Sequence, residues 1–115
     1  MIDITDRLRS LAADTESAIM TVYTPHTTTG LTINEGTDPD VVRDILHFTN
    51  RLIPQNGDFR HAEGNSDAHI KASFFGSSVQ IIIEGGRLVL GTWQHVFLCE
   101  FDGPRTRTIH TKIIS

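Results

Sequence analysis

Two short polar segments carry the residue types that do chemistry. The first runs His26-Thr27-Thr28-Thr29-Gly30-Leu31-Thr32-Ile33-Asn34-Glu35. Three adjacent hydroxyls beside an imidazole and a glycine make a compact set of donors and acceptors. Such a set can hold a phosphate through hydroxyls and backbone N–H groups. The ordinary alternative is a solvated turn between strands, where threonine is common. The second segment runs His61-Ala62-Glu63-Gly64-Asn65-Ser66-Asp67-Ala68-His69-Ile70-Lys71, with two His, two acids, an amide and a Lys within eleven residues. Imidazole nitrogen and carboxylate oxygen suit zinc or a similar ion. The seven residues between the histidines match no specific metal motif.

Helix geometry divides the second segment. A helix starting near Ser66 places Asn65 and His69 on one face and Asp67 and Lys71 on another. Asp67 and His69 then diverge and do not easily share one ion, a restriction that lifts if the helix begins later. The plain reading of Asp67 with Lys71 is a surface helix pair worth a few tenths of a kcal/mol. His61 and His69 have plain readings too, as a loop histidine and a packed one. His95 shares a strand face with Trp93, Phe97, Cys99 and Phe101, which points to partly buried packing. Cys99 lies on that face with no cation in sequence to activate it. His47 falls in a helix, on the surface or at an interface, and the role of His110 is open. Trp93-Gln94 reads as the start of a strand.

These residues need elements to position them. Thr5 reads as the N-cap of a short helix carrying Leu8, Leu11 and Ala12 on one face. Residues 17–24 are rich in strand formers and end at Pro25, and Leu31-Thr32-Ile33 alternates as a second short strand. Asp38-Pro39 is a helix start, because the carboxylate can cap free N–H groups and proline is pre-set for the first helical position. Val41, Val42, Ile45, Leu46, Phe48 and Leu52 recur at helical spacing until Pro54. Residues 54–65 read as a loop and about 66–75 as a short helix ending near Gly76. Strands follow at 79–84, 88–90, 96–99 and 107–113, with Gly85-Gly86 as a hairpin turn and Asp102-Gly103-Pro104 as a loop. About six strands and two or three helices, with strands late, predict a compact α+β domain over 1–115. Its strands are expected to be mostly antiparallel. Ile82 points away from Ile81 and Ile83, so a helix or a second subunit is expected over it.

Composition narrows the function classes. The 115 residues suit one domain with a modest core, and the formal charge of −4 leaves no basic excess for nucleic acid. Cys99 is the single cysteine, so no internal disulfide forms. The first residues carry acids where a signal peptide needs bases, and the longest wholly apolar run, Ile81-Ile82-Ile83, is far too short for a membrane span. A cytoplasmic protein that binds neither nucleic acid nor membrane is expected.

Four motifs then occur in order: Thr24 to Glu35, Asp38-Pro39-Asp40-Val41, His61 to Ser73, and Gly91-Thr92-Trp93-Gln94. Together they resemble the YjbQ family, also called secondary thiamine-phosphate synthase enzymes. The resemblance covers about residues 25–115. One departure is His95, where a glycine often follows the Trp-Gln pair. The resemblance implies a compact α+β fold with a sandwich-like arrangement of sheets, assembled as a homotrimer with a site near a subunit interface, often holding a divalent metal such as zinc or magnesium. It implies a weak activity that joins a pyrimidine pyrophosphate to a thiazole phosphate, giving thiamine phosphate and pyrophosphate. Carried onto this chain, His26, His61 and His69 would be metal ligands. Thr27, Thr28, Asn34, Asn65 and Ser77 would bind a small phosphorylated substrate. Glu35, Glu63, Asp67 and Lys71 would serve catalysis, the acids by holding Mg²⁺ or acting as a base and Lys71 by meeting phosphate oxygens. Two alternatives stand beside it: a metal-dependent hydrolase of a small substrate, since three imidazoles suit zinc and a bound hydroxide, and a non-enzymatic small-ligand-binding protein.

Overall fold

Alternation along residues 17–23 sets the layout of the protein, which a computed structural model describes over residues 1–115. Ala18, Met20 and Val22 are buried while Ser17, Ile19 and Tyr23 are exposed, the period of two that a strand imposes. The elements in chain order are β1 (Ile2–Asp3), α1 (Thr5–Ala12), β2 (Ser17–Tyr23), β3 (Thr29–Glu35), α2 (Pro39–Leu52), α3 (Ser66–Phe75), β4 (Ser78–Glu84), β5 (Arg87–Leu88), β6 (Gln94–Glu100) and β7 (His110–Ile114). They form two sheets, ordered β1-β6-β3 and β5-β4-β2-β7, with every strand pair antiparallel. The fold is a single α+β domain with three helices, as the element order predicts.

The core lies between the sheets. Met20, Val22, Ile81 and Ile83 from one sheet meet Leu31, Val96 and Leu98 from the other, and Ile4, Leu8 and Ala12 around α1 close one side. On the far face of the three-stranded sheet sits α3. A Cβ on Gly30 would fall 2.7 Å from the Cβ of Phe75, so α3 lies directly on β3 because that position is glycine. The hairpin at Gly85 and Gly86 forms as expected, with φ of +60° and +74° that side chains rarely adopt.

The elements differ from expectation in several places: β5 is shorter, at Arg87–Leu88, and β6 longer, at Gln94–Glu100. α1 begins at Thr5 itself, with Ile4 at the cap position; the Asp3 carboxylate takes the Thr5 N–H at 2.9 Å and its hydroxyl at 2.5 Å. β1 is an added strand, only two residues long, which pairs with β6. β7 starts at His110 and not at 107, because Arg107 and Thr108 turn their donors to another use, described below.

Asp38 caps α2 through the Asp40 N–H at 2.9 Å, with Pro39 in the first turn. Yet α2 buries none of its residues, and Phe48 and Leu52 on its apolar stripe are 63% and 62% exposed. No helix covers the outer face of the larger sheet either, where Ile82, Ile19 and Ile114 lie in one row across β4, β2 and β7. No helix of the protein is long and apolar enough to cross a membrane.

Candidate functional site

The turn between β2 and β3 meets α3 along a polar groove with two contiguous lobes. One, of about 470 Å³, is lined by Tyr23, Thr29, Ser73, Gly76 and Ser77. The other, of about 410 Å³, is lined by Thr28, His61, Glu63, Asn65, Arg105 and Arg107. Pro25, His26, Thr27 and His69 line both. The two polar segments of the sequence therefore converge.

Buried threonines hold the turn. The Thr24 and Thr29 hydroxyls share a hydrogen bond of 2.6 Å inside the protein. The Thr24 N–H donates to the Ser77 carbonyl at 2.9 Å, and the Leu31 N–H to the Gly76 carbonyl at 3.0 Å. These bonds tie the turn to the end of α3. The amides of Thr27 and Thr28 donate to no acceptor in the chain, so two consecutive N–H groups are left for a ligand. Of the three threonines in the run, only Thr27 is exposed. Thr28 is buried and its hydroxyl accepts from Arg107 Nη2 at 2.9 Å.

Two arginines that motif reasoning passed over complete the second lobe. Arg107 makes a two-pronged pair with Glu100, Nε to Oε1 at 2.7 Å and Nη2 to Oε2 at 2.6 Å, with both side chains largely buried. This fork geometry is one that lysine cannot copy. Arg105 is half exposed and bonds Asp102 at 2.6 Å. The Asn65 amide donates to the same Asp102 oxygen at 2.8 Å. Next in the chain, the Thr108 N–H donates to His26 Nε2 at 3.0 Å. The signal in the sequence was Arg105-Thr106-Arg107, two cations spaced to share one side of an extended segment.

His61 and His69 stand edge to face with ring centroids 5.4 Å apart, and His61 Nε2 is 3.9 Å from a Glu63 carboxylate oxygen. No group of three or more His, Cys, Asp or Glu side chains in the chain is arranged to hold a metal ion. His61 and His69 alone are two donors, so any ion held there would need further ligands from water, ligand oxygen or another subunit.

The remaining expected site residues lie elsewhere in the chain. Asp67 and Lys71 are buried on the other face of α3, as the helix geometry separates them. The Lys71 ammonium reaches Asp67 at 3.3 Å and Asn50 of α2 at 2.7 Å. They form a buried pair linked to α2 through Asn50, where a surface pair was expected. Asn34 and Glu35 sit at the far end of β3, about 20 Å from the groove by strand rise. Asn34 accepts the Glu35 N–H, and Glu35 accepts the Asp38 N–H at the entry to α2. His95 packs beside Phe97 and against Gly36, and its Nδ1 bonds Asp3 at 2.6 Å. Burial pushes the Cys99 thiol up to about 11, which leaves it inert as expected.

Two carboxyls tie acid stability to this architecture. The Arg107 guanidinium holds Glu100 below its ordinary value of 4.5, against the opposing effect of burial. Burial pushes Asp3 up, but hydrogen bonds from Thr5 and His95 outweigh it and leave Asp3 below 3.8. A depressed folded-state value means that the stabilisation is fully present above the unfolded value and is lost as pH falls through the folded one. Unfolding midpoints are therefore expected to drop as pH falls below about 4. The Asp3→Asn variant should show a shallower drop in the same urea titrations.

Comparison with known proteins agrees with this construction. The family model "UPF0047 protein YjbQ-like" matches residues 1–115. A UPF0047 protein of Methanocaldococcus jannaschii is 51% identical over 99% of this chain and 84% of its own length. The YugU protein of Bacillus subtilis is 48% identical over 99% and 89%. Among solved structures, an uncharacterized YjbQ/UPF0047 protein from Clostridium acetobutylicum superposes with a TM-score of 0.95 at 53% identity, covering 98% of this chain and 89% of that one. A conserved hypothetical protein from Thermus thermophilus gives 0.94 at 40% identity, covering 98% and 90%. With the motifs, the two-sheet fold and the matches along the whole chain in agreement, the protein is a member of the UPF0047/YjbQ family.

Proposed function

We propose that the groove binds small phosphorylated molecules and carries a thiamine-phosphate-synthase-type transfer. The observation that carries this reading is the polar donor set of the second lobe. Arg105, the free amides of Thr27 and Thr28, and the Thr27 hydroxyl surround a space with no large apolar lining. The two contiguous lobes suit two small substrates placed side by side. In the transfer, the thiazole nitrogen attacks the methylene carbon of the pyrimidine pyrophosphate. A C–N bond forms, the C–O bond breaks, and pyrophosphate leaves with the electron pair. Negative charge gathers on the leaving group, where fixed donors lower the barrier most. A divalent cation, held by His61 and His69, would add positive charge at the leaving pyrophosphate.

The paired histidines beside Glu63 favour a second reading, hydrolysis of a small phosphate ester. Incubating purified protein and Mg²⁺ with both precursors, and with each alone, separates the two. Thiamine phosphate formed only from the pair is the expected outcome, reduced about tenfold or more in Arg105→Ala, the loss expected for one charge-assisted contact. Phosphate released from a single precursor would favour hydrolysis. No product and no calorimetric binding of pyrophosphate would overturn both readings and leave a ligand-binding role of another kind.

The same proposal includes a homotrimer. The apolar stripe of α2 and the isoleucine row on the larger sheet are both uncovered within one chain. They are different surfaces, so a helix-on-sheet contact between copies is head-to-tail, and a rotation of one third of a turn between copies would close such contacts into a three-membered ring.

A further inference from the structure

We infer that His26 meets the ligand as a hydrogen-bond donor through Nδ1–H, and that it is not a metal ligand. The inference rests on the groove being a ligand site. It goes beyond that reading by fixing one residue's chemistry.

The argument starts from the partner of His26 Nε2, which is the Thr108 backbone N–H at 3.0 Å. A backbone amide can only donate, so Nε2 must present its lone pair. In a neutral imidazole the proton then resides on Nδ1. Metal-binding histidines show the opposite pattern: one nitrogen gives its lone pair to the ion, and the other donates its N–H to a carbonyl or carboxylate. At His26 the lone pair of Nε2 is already taken by Thr108. A metal at Nδ1 would leave both nitrogens acting as acceptors, with no proton on the ring, an imidazolate. Neither nitrogen can take a metal while the Thr108 bond stands.

The surroundings hold this arrangement in place. Thr108 follows Arg107, whose guanidinium is locked by Glu100 and bonded to the Thr28 hydroxyl. The segment after Arg105 is therefore fastened to the turn at two points, Thr28 and His26. His26 lines both lobes of the groove, beside the free amides of Thr27 and Thr28. A neutral donor next to two amide donors favours an oxygen-rich acceptor such as a phosphoryl group. The imidazoles left for a cation are His61 and His69.

Long-range proton–nitrogen spectra of the ¹⁵N-histidine-labelled protein test this directly, with His26→Gln supplying the assignment. The expected pattern for His26 is the Nδ1–H tautomer. Added zinc should leave its nitrogen shifts in place, and added pyrophosphate should move the Nδ1 signal. The Thr108→Pro variant, which deletes the amide at an exposed position, should release the ring into a mixture of tautomers. An Nε2–H tautomer, an averaged pattern in the unmodified protein, or a zinc-induced shift at His26 would each overturn the inference. An unchanged tautomer in Thr108→Pro would also overturn it. If pyrophosphate moved no signal while the tautomer stood, the proposed phosphate-binding function would fail and the histidine assignment would survive. If pyrophosphate bound and the tautomer were wrong, only this inference would fall.

Discussion

Replacing Arg107 with alanine is expected to lower unfolding stability by about 3 kcal/mol and to abolish pyrophosphate binding in the same variant. Arg107 is 6% exposed and its partner Glu100 15%, so the variant leaves a carboxylate buried with its main counter-charge gone. That loss is the large term; the attraction itself is offset by the cost of dehydrating both ions. The binding loss has a separate origin. Without Arg107 the Thr28 hydroxyl loses its donor, and the segment carrying Arg105 and Thr108 loses one of its two fastenings to the turn. Adding Glu100→Gln to Arg107→Ala should recover much of the stability, because the stranded charge is removed, but no binding. Arg107→Lys keeps the charge without the fork and is expected to fall between. Arg105→Ala, at a half-exposed position, should weaken binding with stability changed by less than about 0.5 kcal/mol. Urea unfolding at one subunit concentration and pyrophosphate calorimetry read these outcomes. Full binding by a folded Arg107→Ala protein would remove Arg107 from the account of the groove.

The parts of this structure legible in the sequence are those governed by local chemistry. Asp38-Pro39 starts α2 where a carboxylate and a fixed φ predict it, and Gly85-Gly86 turns the hairpin. The alternation through residues 17–23 marks the inner face of β2. Helix geometry separates Asn65 and His69, which line the groove, from Asp67 and Lys71, which do not. What was not legible depends on where the folded chain carries each residue. The buried Lys71 finds an acceptor in Asn50, twenty-one residues away. β1 is too short to show a period and exists through pairing with β6. Asn34 and Glu35 follow the threonine run directly in sequence, but an extended strand carries them to its other end. Arg105 and Arg107 read as scattered charges until Asp102 and Glu100 fix them beside the turn.

Charge placed on either uncovered apolar face is expected to convert the proposed trimer to a folded monomer. The reasoning begins with α2, a fourteen-residue helix that buries none of its side chains in its own chain. A helix of that length is marginal in water without packing. Here its polar anchor to the body is Lys71 on Asn50, while Val41, Ile45, Phe48 and Leu52 form a continuous stripe at helical spacing. The row of Ile82, Ile19 and Ile114 is 53%, 48% and 63% exposed and is flat enough to receive a helix. Burying such a side chain contributes roughly 2 kcal/mol. Phe48, Leu52, Ile19, Ile82 and Ile114 are about half exposed, so covering all five contributes roughly half of that each, comparable to the lower end of an association cost. The paired change Phe48→Glu with Leu52→Glu, and separately Ile19→Glu, should each give a monomeric mass at micromolar concentration with native circular dichroism. A trimeric mass in both variants would exclude the helix-on-sheet contact. A consequence for the site follows from position. Tyr23, on the same face of β2 as Ile19 and about 13 Å along it by strand rise, lines the first lobe of the groove. The donors of the second lobe come from the chain's own turn and Arg105. The monomer is therefore expected to keep pyrophosphate binding within about threefold while losing most transfer between the two precursors, because in the proposed assembly one wall of the groove would abut the neighbour and the anion subsite would not.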